Sequence, residues 1–240
     1  MPSRSARNGA ASGAVAARAT DPPMPRLAVF DCDGTLVDSQ ANICRAMTRA
    51  FQACGQTPPP VAAIRRIVGL SLVESMQMLL PDAPDDLHRE LAATYKAMFH
   101  QLRSENALDP EPLFEGIAET LTHLRDHGWR LGVATGKSDR GLGLLLAHHG
   151  LTDRFVTLQT ADRHPSKPDP SMLHAAMAEA GAVPAETVMI GDTSFDMAMA
   201  RAAGVRAIGV AWGYHSPADL AAARAEAIAD HAADLPGLLA

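Results

Sequence analysis

The stretch Leu27-Ala28-Val29-Phe30-Asp31-Cys32-Asp33-Gly34-Thr35 runs four apolar residues straight into two carboxylates and a glycine. The apolar run does not alternate with polar residues, which predicts a strand buried on both faces, as in a parallel sheet. Asp31 and Asp33 sit one residue apart where that strand ends. Two carboxylates this close repel unless a cation or a proton lies between them. A turn on Gly34 explains one aspartate but not two. Asp38-Ser39, a few residues on, has the composition of a helix cap.

Outward from this point the chain alternates short apolar runs with helical spacing. Residues 130–134, 155–158, 187–190 and 206–210 read as further buried strands. Between them lie apolar residues three and four apart: Ile117, Leu121 and Leu124; Leu142, Leu145 and Leu146; Met172, Leu173, Ala176 and Met177. Strands alternating with helices predict an α/β fold with a parallel sheet. The rhythm breaks over 39–112, where no strand pattern occurs and helical segments are divided by Pro58-Pro59-Pro60, by 81–84 and by 110–112. Ser39 is the expected N-cap, and Gly55 the expected stop, of a helix carrying Ile43, Met47, Ala50 and Phe51. An insert of this length exceeds an ordinary crossover, so 39–112 is expected to form a small helical domain. The core is then 26–38 together with 113–240.

Three more polar clusters follow the later strands. In open α/β sheets ligands bind beyond the carboxyl ends of the strands, which gives this placement its meaning. Thr135-Gly136-Lys137-Ser138 offers a hydroxyl and a glycine amide before a helix start, a corner suited to phosphate, although Ser138 equally reads as an N-cap. Lys167 stands in Ser166-Lys167-Pro168-Asp169-Pro170, where prolines exclude a helix interior; a surface lysine is the plain alternative. Gly191-Asp192-Thr193-Ser194-Phe195-Asp196 places Asp192 at a strand end and Asp196 at a helix start, where an acid is also an ordinary cap. Asp192 beside Asp31 and Asp33 makes an all-oxygen donor set of the kind that holds Mg²⁺.

Bulk properties narrow the class. The chain has 240 residues, 47% hydrophobic and 20% charged, with net charge −6, as in a globular enzyme. No basic run matches a nucleic-acid backbone, and no apolar stretch has the roughly 20 residues of a membrane helix. Cys32, Cys44 and Cys54 show no CxxC pair, so reduced thiols in a cytoplasmic protein are expected. No histidine spacing matches a zinc site. Residues 1–25 are rich in Ala, Ser, Arg, Gly and Pro with a single acid, Asp21. They read as a disordered tail or as a start assigned too early, Met24 being the other candidate, with an organelle transit peptide as the alternative.

Taken in order, the DxDGT stretch, Thr135, Lys167 and the Gly191-Asp192…Asp196 segment resemble the haloacid dehalogenase superfamily, in particular its phosphoglycolate phosphatase-like branch with a C1 helical cap. The resemblance spans Arg26 to the C-terminus and implies a Rossmann-like core. It also implies a Mg²⁺-dependent phosphatase for a small phosphorylated metabolite, phosphoglycolate first, acting through a phosphoaspartyl intermediate. By the same resemblance Asp31 is the nucleophile and Asp33 the acid/base. Thr135, Gly136 and Lys167, with Gly34 and Thr35, would meet the phosphate. Asp31, the Asp33 carbonyl and Asp192 would bind the metal, with Asp196 in support. Gly136 stands where the family often has Asn. Arg66, in Arg65-Arg66-Ile67-Val68-Gly69-Leu70-Ser71, would take a second substrate anion from the cap. A phosphosugar mutase shares every motif, and a phosphate-binding regulator shares the fold. A dehalogenase lacks the second aspartate, which is present here, and an unrelated α/β binding domain would show no metal dependence.

Overall fold

A computed structural model describes residues 24–240; the expected tail at 1–25 lies outside it except for Met24 and Pro25. Six parallel strands form one sheet in the order β3-β2-β1-β4-β5-β6. They are β1 (Arg26–Phe30), β2 (Trp129–Thr135), β3 (Thr157–Thr160), β4 (Thr187–Gly191), β5 (Arg206–Val210) and β6 (Ala227–Ala229). β1 lies at the centre, with Phe30 level with Val133 of β2 and Ile190 of β4. The strand order reverses beside β1, so the crevice of an open α/β sheet opens at its carboxyl end.

Helices cover both faces, as a sheet of unbroken apolar strands requires. One face is packed by α5 (Ile117–Asp126), α6 (Asp139–His148) and α10 (Leu235–Leu238), the other by α7 (Ser171–Ala180), α8 (Ser194–Ala203) and α9 (Pro217–Ala222). Two expectations shift. β3 starts two residues later than 155–158 and includes Gln159 and Thr160, whose polarity reads as loop in the sequence. Their side chains are satisfied in place: Gln159 Nε2 donates to Thr157 and Glu179, and Thr160 donates to Asp139. β6 is too short to carry a pattern.

Between β1 and α5 stand α1 (Gln40–Ala53), α2 (Val61–Arg65), α3 (Leu72–Leu79) and α4 (Asp85–Ser104), the all-helical cap. Its own apolar cluster joins Ile43, Met47 and Phe51 of α1 to Ile64, Met76 and Leu91, and reaches Tyr214 of the core. Gly55 ends α1 at φ 68°, as expected. Ser39 does not cap it: the hydroxyl makes no cap bond and turns to Asp33. Among the described residues no helix is long and apolar enough to cross a membrane.

Phe51 is fully buried at the centre of the cap cluster. Phe51→Ala should therefore lower unfolding stability by about 3–5 kcal/mol, the usual result of emptying an aromatic site. Urea denaturation followed by circular dichroism checks this, and a change below about 1 kcal/mol would mean that the cap repacks freely.

Candidate active site

The chain leaves β1 at Asp31, β2 ends on Thr135 and β4 is followed by Asp192, so three adjacent strands bring these groups to one edge. Lys167 enters from the loop after β3. Asp31, Thr135, Asp192, Asp196 and Lys167 are all buried. The Lys167 ammonium lies 2.8 Å from Asp31 Oδ1 and 2.7 Å from Asp196 Oδ1. Only the contact to Asp196 is aligned as a hydrogen bond. Both oxygens of Asp31 are buried without an aligned donor, which is rare for a carboxylate.

Asp196 serves two structures at once. Its Oδ2 accepts from the Thr193 amide and hydroxyl, closing a capping box at the start of α8, while Oδ1 receives Lys167. Asp192 is held by the Thr35 hydroxyl at 2.8 Å and the Tyr214 amide at 2.9 Å. Glycines make room for it. A Cβ on Gly34, which sits at φ 90°, or on Gly213 would stand 2.2 Å from an Asp192 side-chain atom. Gly34 and Thr35 thus position Asp192, and the Gly34 amide donates to the Val37 carbonyl.

Burial raises the Asp31 pKa to about 7, against the lowering effect of Lys167 and with the help of Asp196 and Asp33. Burial, then repulsion from Asp31 and Asp196, pushes Asp192 well above the carboxylate range. Burial disfavours charge on Lys167 too, but Asp196 and Asp31 outweigh it and raise its pKa. Asp31, Asp192 and Asp196 each present an oxygen, all within 4.8 Å of one another. Three buried carboxylates around one ammonium leave uncompensated negative charge, and this oxygen-only set fits a hard divalent cation. The Asp33 carboxylate is outside that group.

Asp33 faces the cap instead. Its Oδ1 takes the Lys137 ammonium at 2.7 Å and the Ser39 hydroxyl at 2.5 Å, so Oδ2 stays outside both contacts. Nothing in the Thr135-Gly136-Lys137-Ser138 motif marks Lys137 as a partner of Asp33. Gly213 and Tyr214 follow the end of β5, where the strand-end rule applies as it does to Asp192.

The cap rests directly on the site. The backbone of Gly69 and Leu70 lies so close to Gly136 that a Cβ there would meet Leu70 O at 2.6 Å and Gly69 O at 2.9 Å. The Ser71 amide donates to Ser166 beside Lys167, and His215 joins the Ser194 amide to the Arg66 carbonyl. Arg66 itself points elsewhere: its side chain is 70% exposed and lies 3.7 Å from Asp219, on a separate pocket with His215 and Phe195. It follows the last residue of α2 and does not line the cleft that Asp33 and Lys137 share. The inward-facing neighbour is Arg65, which donates to the Gly213 carbonyl and lies over the Tyr214 ring.

A parallel sheet with strand-end acids, a buried lysine and a helical cap over them defines a class of hydrolase. Residues 28–210 match the family described as haloacid dehalogenase-like hydrolase, and the chain belongs to that family. It is 36% identical over 217 residues to a Dickeya dadantii protein named "Probable phosphatase IndB", covering 89% of this chain and 93% of that protein. It is 32% identical over 195 residues to "Phosphoglycolate phosphatase" of Pseudomonas putida, covering 80% and 71%. The crystal structure of a hydrolase from Pseudomonas syringae superposes with TM-score 0.78 at 25% identity, covering 89% and 97%.

Two outcomes are expected. Gly136→Asn should lower kcat/KM at least tenfold, because any β-carbon there pushes the Gly69-Leu70 backbone away from the site. A variant as active as wild type would show that this contact is absent during turnover. Second, Asp31 with its pKa near 7, and Asp192 raised likewise, bind protons in the folded state that the unfolded chain releases near pH 4. Without metal their contribution to stability therefore falls as pH rises from about 4 to about 7. A cation competes with those protons, so the rise in Tm produced by Mg²⁺ should be larger at pH 8 than at pH 5 by differential scanning fluorimetry. An equal rise at both would remove these acids as ligands.

Proposed function

We propose that this protein is a Mg²⁺-dependent phosphatase that hydrolyses a phosphorylated metabolite through a phosphoaspartyl intermediate on Asp31. The observation that carries the reading is the Asp31 carboxylate, buried against Lys167 with both oxygens free of aligned donors. A nucleophile held this way loses little solvation when it attacks. Names of relatives as phosphatases support the reading.

In the first half-reaction Asp31 forms a bond to phosphorus as the ester P–O bond breaks. Asp33 gives the departing oxygen its proton. In the second, Asp33 takes a proton from water, whose oxygen attacks phosphorus; phosphate leaves and Asp31 is restored. Lys167, the Thr135 hydroxyl and the Gly136 amide would hold phosphoryl oxygens, and Asp31, Asp192, the Asp33 carbonyl and the supporting Asp196 would hold the cation. Bound Mg²⁺ would supply positive charge against the phosphoryl oxygens. Cys32, Cys44 and Cys54 are free thiols, which accords with a cytoplasmic location. We propose 39–112 as the bounds of the cap and its closure as what admits and encloses the substrate. Phosphoglycolate, the substrate expected by resemblance, needs a cation for its carboxylate, and Arg66 faces away from the site.

Asp31→Asn should leave less than about 1% of kcat, two orders of magnitude lost with the nucleophile. With p-nitrophenyl phosphate, Asp33→Asn should release about one equivalent of nitrophenol and then nearly stop, since this leaving group needs little protonation. Intact mass should show a phosphoryl group sensitive to hydroxylamine. Steady turnover at the wild-type rate by either variant would remove that residue from the mechanism.

A further inference from the structure

Between α4 of the cap and α6 of the core runs a cleft of about 1340 Å³, with Asp33, Gly136 and Lys137 at its inner end. A ligand site for a drug-sized molecule spans roughly 300–1,000 Å³, so a two-carbon acid would leave most of this space unfilled. The leaving group of a phosphate ester held at Asp31 has to pass Asp33, its proton donor, and so enters this cleft.

The lining is mixed, and among its polar groups it carries an aromatic pair on the cap side and aliphatic side chains on the core side. Tyr95 and Phe99, one turn apart on α4, set their rings 5.7 Å apart, and the Arg103 guanidinium lies 5.8 Å from the Phe99 centroid. Opposite them on α6, Leu144 is 45% exposed. Two rings on one side of the cleft and an aliphatic side chain on the other offer apolar surface to a flat group. Of the cations on the cleft, Lys137 is paired with Asp33 and Lys96 with Asp162 at 3.7 Å, while Arg103 lies over Phe99. The cation nearest Asp33 is thus engaged by it and not free for a substrate carboxylate.

We infer that the substrate is a phosphate monoester whose alcohol carries a ring, bound with that ring between Tyr95–Phe99 and Leu144. This rests on the phosphatase reading above and narrows it. Benzyl phosphate and ethyl phosphate test it, because their alcohols are of similar basicity and differ by the ring. Wild type with Mg²⁺ should show kcat/KM at least tenfold higher for benzyl phosphate, and Phe99→Ala should reduce that ratio at least fivefold. Equal values for the two esters in wild type, or phosphoglycolate above both, would overturn the inference without needing any variant. Acetyl phosphate, activated and without a ring, separates the two levels. If it is hydrolysed while the ring gives no advantage, the phosphatase reading stands and the ring slot does not. If neither the esters nor the anhydride acetyl phosphate is cleaved, the phosphatase reading falls and takes the inference with it.

Discussion

One ammonium buried between two carboxylates organises this protein. Taking a charge out of water costs several kcal/mol unless partners surround it. Lys167 meets that requirement with Asp31 on one side and Asp196 on the other. Asp196 in turn fixes the first turn of α8 through Thr193, so the end of β4, the start of α8 and the loop after β3 are tied to one charged point. Removing the lysine would leave three acids facing one another. Removing Asp196 would free both a helix end and an ammonium. Structure and chemistry share the same residues here, which leaves little latitude for either to change alone.

Crowding is the second consequence. Asp192 is wedged where Gly34 and Gly213 have no side chain, and a Cβ on Gly191 would stand 2.4 Å from Asp196. Acids placed this tightly repel, and the raised pKa values of Asp31 and Asp192 express that repulsion together with burial. A site of this kind is poised for positive charge: it is strained as a set of anions and relieved by a cation or a proton.

The cap answers a different constraint. Its helices bury their own cluster, yet they also lean on Tyr214 and lay the Gly69-Leu70 backbone against Gly136. Gly136, which reads in the sequence as the loss of an asparagine contact, is where the cap comes down. A larger residue there would hold the Gly69-Leu70 backbone off the end of β2.

The chain itself decided a good deal. The apolar run ending on Asp31 and Asp33, the repeated pattern of strand then polar cluster, and the prolines that divide 39–112 were enough for the parallel sheet, the helical insert and the acids at the strand ends. Those features are local, since a strand's burial and a carboxylate's place at its end are written within a few residues. What depended on long-range packing was not legible. The Thr35 hydroxyl donates to Asp192, 157 positions away, a contact no local pattern expresses. Ser39 looks like a cap until Asp33 draws it off. Lys137 has a partner only because β2 lies beside β1. Between Arg65 and Arg66 the choice of inward face depends on how α2 sits against the loop after β5, which spacing cannot express. Tyr95 and Phe99 on α4 and Leu144 on α6 are far apart in the chain, and only the placing of cap against core puts them on one cleft.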